Sequence, residues 1–221
     1  MTDKNDAPPG AALPPLALVM RAALFAAEHH VDQRRKGARQ APYINHPIDV
    51  AERLVRIARV TDEATLAAAL LHDTIEDTSA TGADLTQHFG AAIAAIVAEV
   101  SDDDSLPSRA RKALQIERAP QLSPPAKLIR LSDKISNVRE MEINPPHWPV
   151  ERKRRYVAWA RKVVAALGPV NPALEHRFED VAAATEKALD ALEADETQAG
   201  AATPDTLTRA KALASTPPRQ A

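Results

Sequence analysis

Residues 69–78 read Ala-Leu-Leu-His-Asp-Thr-Ile-Glu-Asp-Thr, at the end of an Ala/Leu-rich run that begins near Thr61. The apolar spacing predicts a helix over 61–76, capped by Thr61 or Asp62. Into that helix the sequence sets four ionisable groups within six residues: His72, Asp73, Glu76 and Asp77. On a helix, residues three and four apart share a face, so His72 would lie with Glu76, and Asp73 with Glu76 and Asp77. Three carboxylates that close repel one another unless a cation or protons intervene. A helix end that simply turns polar would give the same run, and this stretch alone leaves both readings open.

Outward from it the periodicity stays helical. Helices are expected from Leu16 to about Lys36, and from Pro47, with Ile48, Ala51, Leu54, Val55 and Ala58 as the apolar stripe. One or two more lie between Ala83 and Val100 around Phe89-Gly90, and another runs from Ala126 to Met141. The last two run from Pro149 to Leu167 and from Pro172 to about Ala194. The final one is capped by Asn171, with Leu174, Phe178, Val181, Leu189 and Leu192 at helical spacing. No alternating strand pattern is present. The expected fold is all-α, an orthogonally packed helical bundle over residues 16–194. The ends, 1–15 and 195–221, are Pro-, Ala-, Thr- and Gln-rich without a large apolar set and read as flexible tails.

Composition agrees. The chain has 221 residues, 45% hydrophobic and only 3% aromatic, so its core must come from Ala, Leu, Val and Ile. There is no cysteine, which excludes a disulfide scaffold, a thiol nucleophile and any Cys-ligated metal. A net charge of -2 gives no global field for nucleic acid. No apolar run approaches the ~20 residues of a membrane span, and the polar N-terminus holds no signal segment. A cytoplasmic protein acting on a small molecule is expected, with the oligomeric state left open.

Two further stretches carry chemistry. In Pro42-Tyr43-Ile44-Asn45-His46-Pro47, His46 stands before a helix-initiating Pro, in extended conformation. In the helix over 127–139, Asp133 and Asn137 share one face, and Leu128, Leu131 and Ile135 make the buried side. Together, His46, His72, Asp73 and Asp133 form a two-His, two-carboxylate set drawn from three elements. That mix suits a divalent ion such as Mn²⁺, with Fe²⁺, Co²⁺, Ni²⁺ or Zn²⁺ as alternatives. Arg34, Arg35, Lys36, Arg39 and Lys134 are the local excess of cations for a phosphorylated substrate.

The order H…HD…D resembles that of the HD-domain phosphohydrolases. Arg34-Arg35-Lys36-Gly37, PYINHP at 42–47, ALLHDTIEDT at 69–78, VSDDDSL at 100–106 and KLIRLSDKISNVRE at 127–140 are similar to the hydrolase domain of the RelA/SpoT family. The chain is most like that family's stand-alone small alarmone hydrolases, over residues 16–194. The resemblance implies a hydrolase dependent on one Mn²⁺ per site, which removes the 3′-pyrophosphate from guanosine 3′,5′-bis(diphosphate) or its pentaphosphate. It implies His46, His72, Asp73 and Asp133 as metal ligands, and Glu76 and Asp77 as the acids that orient or deprotonate the attacking water. Arg35, Lys36, Asn137 and Tyr156 are the implied substrate neighbours; Lys134 joins them as a local cation, and the Tyr156 ring reads either as a stack for the base or as part of the core.

Two positions depart from the family pattern. Relatives often carry a basic residue where Ser108 stands here, followed by Arg109 and Arg111, and many have His or Tyr where Ser136 stands. Neither touches the metal or water-activating sets. The chain has no room for the synthetase domain of the long family members, so hydrolysis without synthesis is expected. The competing readings are an HD phosphohydrolase for another nucleotide, such as an adenosine alarmone or NADPH, and a non-catalytic nucleotide sensor.

Overall fold

The structure is a computed structural model that describes residues 15–213, with side chains over 16–195. Its elements are α1 (Pro15–His29), α2 (Asn45–Arg56), α3 (Glu63–Leu71), α4 (Thr74–Asp77), α5 (Gly82–Phe89), α6 (Ala91–Val100), α7 (Ser108–Arg118), a 3-10 turn (Ala119–Gln121), α8 (Pro124–Ile143), α9 (Val150–Leu167) and α10 (Pro172–Leu213). Among the described residues there is no strand. Two isolated bridges, Arg34 with Pro42 and Gly37 with Pro146, tie down the loop between α1 and α2.

α3 is the axis of the fold. Asp62 caps it by accepting from the Thr65 amide at 2.8 Å. Ala67, Ala68, Ala69 and Leu71 are fully buried. A helix apolar on every side belongs in the middle of a bundle, and α1, α2, α6 and α8 all pack on this one. Its alanines let those neighbours approach closely. The rest of the core is Leu, Val and Ile with one large aromatic, Phe178 of α10.

Several boundaries differ from the periodicity. The first helix stops at His29, not near Lys36. The chain then folds back, with the Arg35 amide on the Ala41 carbonyl at 2.9 Å. Gly37 permits this turn to close, because a Cβ there would stand 2.1 Å from the Asn144 carbonyl oxygen. α2 begins at Asn45, ahead of Pro47. Pro47 still falls in the first turn, where its missing N–H costs nothing, but His46 is helical and not extended. α2 buries His46, Pro47, Val50, Ala51, Arg53 and Leu54. Ile48 and Val55, expected in its stripe, are 46% and 47% exposed.

α7 has no counterpart in the expected set: none of its residues is fully buried, and its apolar Ala110, Leu114 and Ile116 are only half-buried. In α10, Asn171 caps as expected, accepting from the Leu174 amide at 3.1 Å. Leu174, Phe178, Val181 and Leu189 are buried, whereas Leu192 is 40% exposed. α10 continues as helix to Leu213, past the boundary at Ala194 that composition suggested. That run is rich in Ala, the best helix former, although it also holds Gly200 and Pro204. The remaining tail residues, 1–14 and 214–221, lie outside the described ones. No helix among the described residues is long and apolar enough to cross a membrane.

Candidate metal and substrate site

The helix expected over 61–76 is broken, and the break builds the site. α3 ends at Leu71, whose carbonyl accepts from the Thr74 hydroxyl at 2.7 Å. The His72 ring is held by a contact of Nδ1 with the Ala69 carbonyl at 2.8 Å. Asp73 takes φ -98 and ψ -5, between regular helix geometries, and α4 restarts from it. Residues i and i+1 do not face each other on an unbroken helix. Here His72 Nε2 and Asp73 Oδ1 come within 3.1 Å.

His46, from the first turn of α2, reaches the same point. Its Nε2 lies 3.2 Å from Asp133 Oδ1 of α8 and 3.4 Å from Asp73 Oδ2. Donor atoms of His46, His72 and Asp133 all lie within 4.8 Å of one another, and all three residues are buried. Asp73 falls outside that mutual set but contacts both histidines. The four expected ligands therefore converge from three elements.

The surroundings fit a cation. His72 Nε2 is buried without a hydrogen-bond partner, because its contact with Asp73 lacks hydrogen-bond direction. A buried polar atom left so is costly unless something binds it. Both histidines turn Nδ1 to protein groups, Ala69 O for His72 and Ser136 Oγ at 3.1 Å for His46, and leave Nε2 facing the carboxylates. Two imidazoles and two carboxylates are the donor set of a borderline divalent ion.

Charge tuning is strong. Burial would raise Asp73 and Asp133, but His72 beside the first and Lys134 and His46 beside the second hold both below the usual carboxylate range. Burial would lower His72, but Asp73 and Asp133 raise it to about 9. Burial wins at His46 and lowers it. The set without an ion thus keeps a proton on His72 that a cation must displace.

The two acids beyond Asp73 diverge. Glu76 turns towards α7: Oε2 accepts from the Asp102 amide at 3.0 Å, and Arg111 Nη1 stands 3.7 Å from Oε1. Burial, with Asp102, Asp73 and Asp77 nearby, raises it to about 7. Asp77 faces a cavity of about 400 Å³ that Arg35, Lys36, Tyr43, Asn137 and Tyr156 also line. Its carboxyl is raised by burial and by Asp73. Arg35 donates to Asn137 Oδ1 at 3.2 Å and sits over the Tyr43 ring. Asn137 in turn donates to Asp133 Oδ1. Lys134 is placed elsewhere. It is buried, pairs with Asp133 Oδ2 at 3.0 Å and lies over the Trp159 ring, outside the cavity lining.

Residues that carried no assigned role also belong here. Tyr43 donates to Asp73 Oδ2 at 2.7 Å and lies beside Asp77. Its PYINHP motif was visible, but nothing in spacing tells which ring points at a carboxylate. Trp148 lines the cavity with Tyr156, their rings 6.3 Å apart. At the Ser108 departure, Arg111 rather than Arg109 reaches the site, through Glu76.

Residues 22–168 match the family model for the HD domain. The chain is 46% identical over 164 residues to the guanosine-3′,5′-bis(diphosphate) 3′-pyrophosphohydrolase MESH1 of Xenopus tropicalis, spanning 74% of this chain and 92% of that protein. It is 48% identical over 160 residues to the human protein of the same name, spanning 72% and 89%. The fold is similar to a solved structure of a metazoan orthologue of SpoT that hydrolyses ppGpp and plays a role in starvation responses. That match has a TM-score of 0.74 and 44% identity over 77% of this chain and 96% of the other.

Proposed function

The chain belongs to the HD-domain family, on the branch of the metazoan SpoT-like hydrolases, and from that premise we propose that it hydrolyses guanosine 3′,5′-bis(diphosphate) and its pentaphosphate to GDP or GTP and pyrophosphate. The observation that carries this reading is the convergence of His46, His72, Asp73 and Asp133 beside a cation-lined cavity. In the reaction a water oxygen bonds to the 3′-phosphorus, the P–O3′ bond breaks, and the 3′ oxygen takes up a proton. His46, His72, Asp73 and Asp133 would hold one Mn²⁺. Such an ion supplies Lewis-acid polarisation and a lowered pKa for water.

The chain's own residues do the rest. Glu76, raised to about 7, is half-ionised near neutrality and is suited to take the proton of the attacking water. Asp77, facing the cavity, orients that water. Tyr43 holds the Asp73 carboxylate through its bond to Oδ2 and lies beside Asp77. Arg35 and Lys36 attract the phosphates. Asn137 fixes Arg35 and Asp133 together, and Tyr156 with Trp148 offers a stacking wall for the base. Lys134 contributes by neutralising Asp133 rather than by touching substrate. We propose the cytoplasm as the compartment of this reaction.

The direct test is turnover of guanosine 3′,5′-bis(diphosphate) by chelator-stripped protein with and without Mn²⁺, both products identified. GDP and pyrophosphate that appear only with Mn²⁺ are expected. Orthophosphate, or no product with any divalent ion, overturns the reading.

The cations carry a second expectation. Each charge-assisted phosphate contact is worth roughly 1.5–3 kcal/mol, so Arg35→Glu with Lys36→Glu should raise KM by about 10²-fold or more. The penalty grows at low salt, where screening is weakest. Metal content should not move. An unchanged KM for the double variant would reduce this loop to a solvated turn.

A further inference from the structure

His46 has one ring nitrogen in the ligand cluster and the other on a polar path leading away from it. Nδ1 lies 3.1 Å from Ser136 Oγ, and the same hydroxyl lies 2.7 Å from Asp49 Oδ2. Asp49 accepts from Arg53 Nη2 at 2.7 Å and has Arg139 Nη1 at 4.0 Å. Against the effect of burial, these partners hold its carboxyl below the usual range, so it is ionised and can only accept. Arg53 is itself buried and anchored on the Ser132 carbonyl at 3.2 Å, which locks α2 to α8.

The directions of these bonds follow from counting protons. A serine hydroxyl has one proton and an ionised carboxylate has none. At 2.7 Å from Asp49, Ser136 must give its proton to the carboxylate. Only lone pairs then face His46, so Nδ1 must carry the hydrogen of that bond. A bare Nδ1 would set two lone pairs against each other in a site where Ser136 is 5% and His46 4% exposed. His72 is anchored through the same nitrogen by simpler means, its Nδ1 on a backbone carbonyl that can only accept.

We propose that Asp49 and Ser136 form a relay that fixes His46 as its Nδ1–H tautomer, so that a bare Nε2 faces Asp73 and Asp133. Ser136 and Asp49 are positioning residues, and their effect on the ion rests on the reading that His46 is a ligand. Groups that set the tautomer of a ligating histidine typically change metal affinity by 10- to 100-fold.

The test is a two-bond ¹H–¹⁵N correlation spectrum of the full chain, metal-free at pH 7.5 with ¹⁵N-labelled imidazoles, with His46 assigned through the signals missing in His46→Ala. The expected spectrum has a protonated Nδ1 and an unprotonated Nε2 for His46. In Ser136→Ala that signature is lost or mixed while that of His72 stays, and Mn²⁺ binding measured by calorimetry weakens 10- to 100-fold. Ser136→Thr, which keeps the hydroxyl, restores both. Thermal unfolding of each variant checks that it is folded. A protonated Nε2 on His46 in the parent protein, or an unchanged tautomer or Mn²⁺ affinity in Ser136→Ala, overturns the relay. Unchanged Mn²⁺ affinity in His46→Ala instead overturns His46 as a ligand, and the tautomer measurement still decides the relay without any ion.

Discussion

Asp73→Ala should fail to take up the divalent ion proposed for the parent protein, and its turnover should fall to background. Asp73 contacts both histidines, at 3.1 and 3.4 Å, and is bonded by Tyr43. Its removal takes one carboxylate from the proposed four-donor set and leaves His72 Nε2 without its nearest charge partner, with only Asp133 remaining at 3.9 Å. The loss has a second signature. Before an ion enters, His72 is held protonated to about 9, largely by Asp73 and Asp133 against the opposing effect of burial. Binding at pH 7.5 must therefore expel about one proton in the parent protein. Calorimetry in buffers of different ionisation enthalpy reads that number directly. In Asp73→Ala both the binding heat and the proton release should vanish, and the ion should no longer raise the unfolding temperature, since stabilisation by a ligand follows its affinity for the folded state. Elemental analysis showing full metal content in this variant would remove the proposed ligand set.

The sequence carried the donor identities but not the geometry that unites them. His72 and Asp73 were placed on one continuous helix, where neighbours in sequence point apart. The chain joins them by stopping α3 at Leu71, with Thr74 returning its hydroxyl to the Leu71 carbonyl. A Thr directly after a His-Asp pair gives no such signal to periodicity. The same break explains why Glu76 and Asp77 part company, one towards Asp102 and Arg111 and the other towards the cavity. Apolar spacing located α6, α8 and α9 because each buries a stripe, and α3 because it is apolar all round. It missed α7, none of whose residues is fully buried and which presents Arg111 to Glu76. It also misread α2, whose inward face includes His46 and Arg53, polar residues that hydropathy assigns to solvent, while Ile48 and Val55 face outward. Lys134 shows the limit for charge. A lysine near a phosphate site reads as a substrate contact, yet its position next to Asp133 gave the nearer partner.

Glu76 and Asp77 should be dispensable for holding the ion and essential for turnover. Neither belongs to the converging donor set. Glu76→Gln with Asp77→Asn keeps size and most hydrogen bonding but removes basicity, so metal and substrate should still bind while kcat falls by roughly 10²–10⁴, the usual worth of a positioned base. The loss of negative charge should tighten binding of the anionic substrate. In the parent protein kcat/KM should rise with pH as Glu76 sheds its proton. A bound cation nearby draws that transition to or below pH 7, and in Glu76→Gln this limb should be missing from the residual rate. Stability should move the other way. Glu76 is at about 7 in the fold against an ordinary 4.5, chiefly because burial disfavours its charge. A carboxyl raised on folding costs nothing below the unfolded value, costs progressively more as pH climbs from about 4.5 to 7, and costs its full amount above that. Gln escapes the cost, so Glu76→Gln should gain about 1–3 kcal/mol over the parent at pH 8 and nothing at pH 4, allowing for partial exposure and the lost Arg111 contact. Such an exchange of stability for activity is the mark of a group strained for its chemistry. Denaturant melts at the two pH values, with calorimetry and turnover on the same preparations, decide the matter: wild-type turnover in the double variant, or a stability gain equal at both pH values, would show that Glu76 is no base and that its raised carboxyl is incidental.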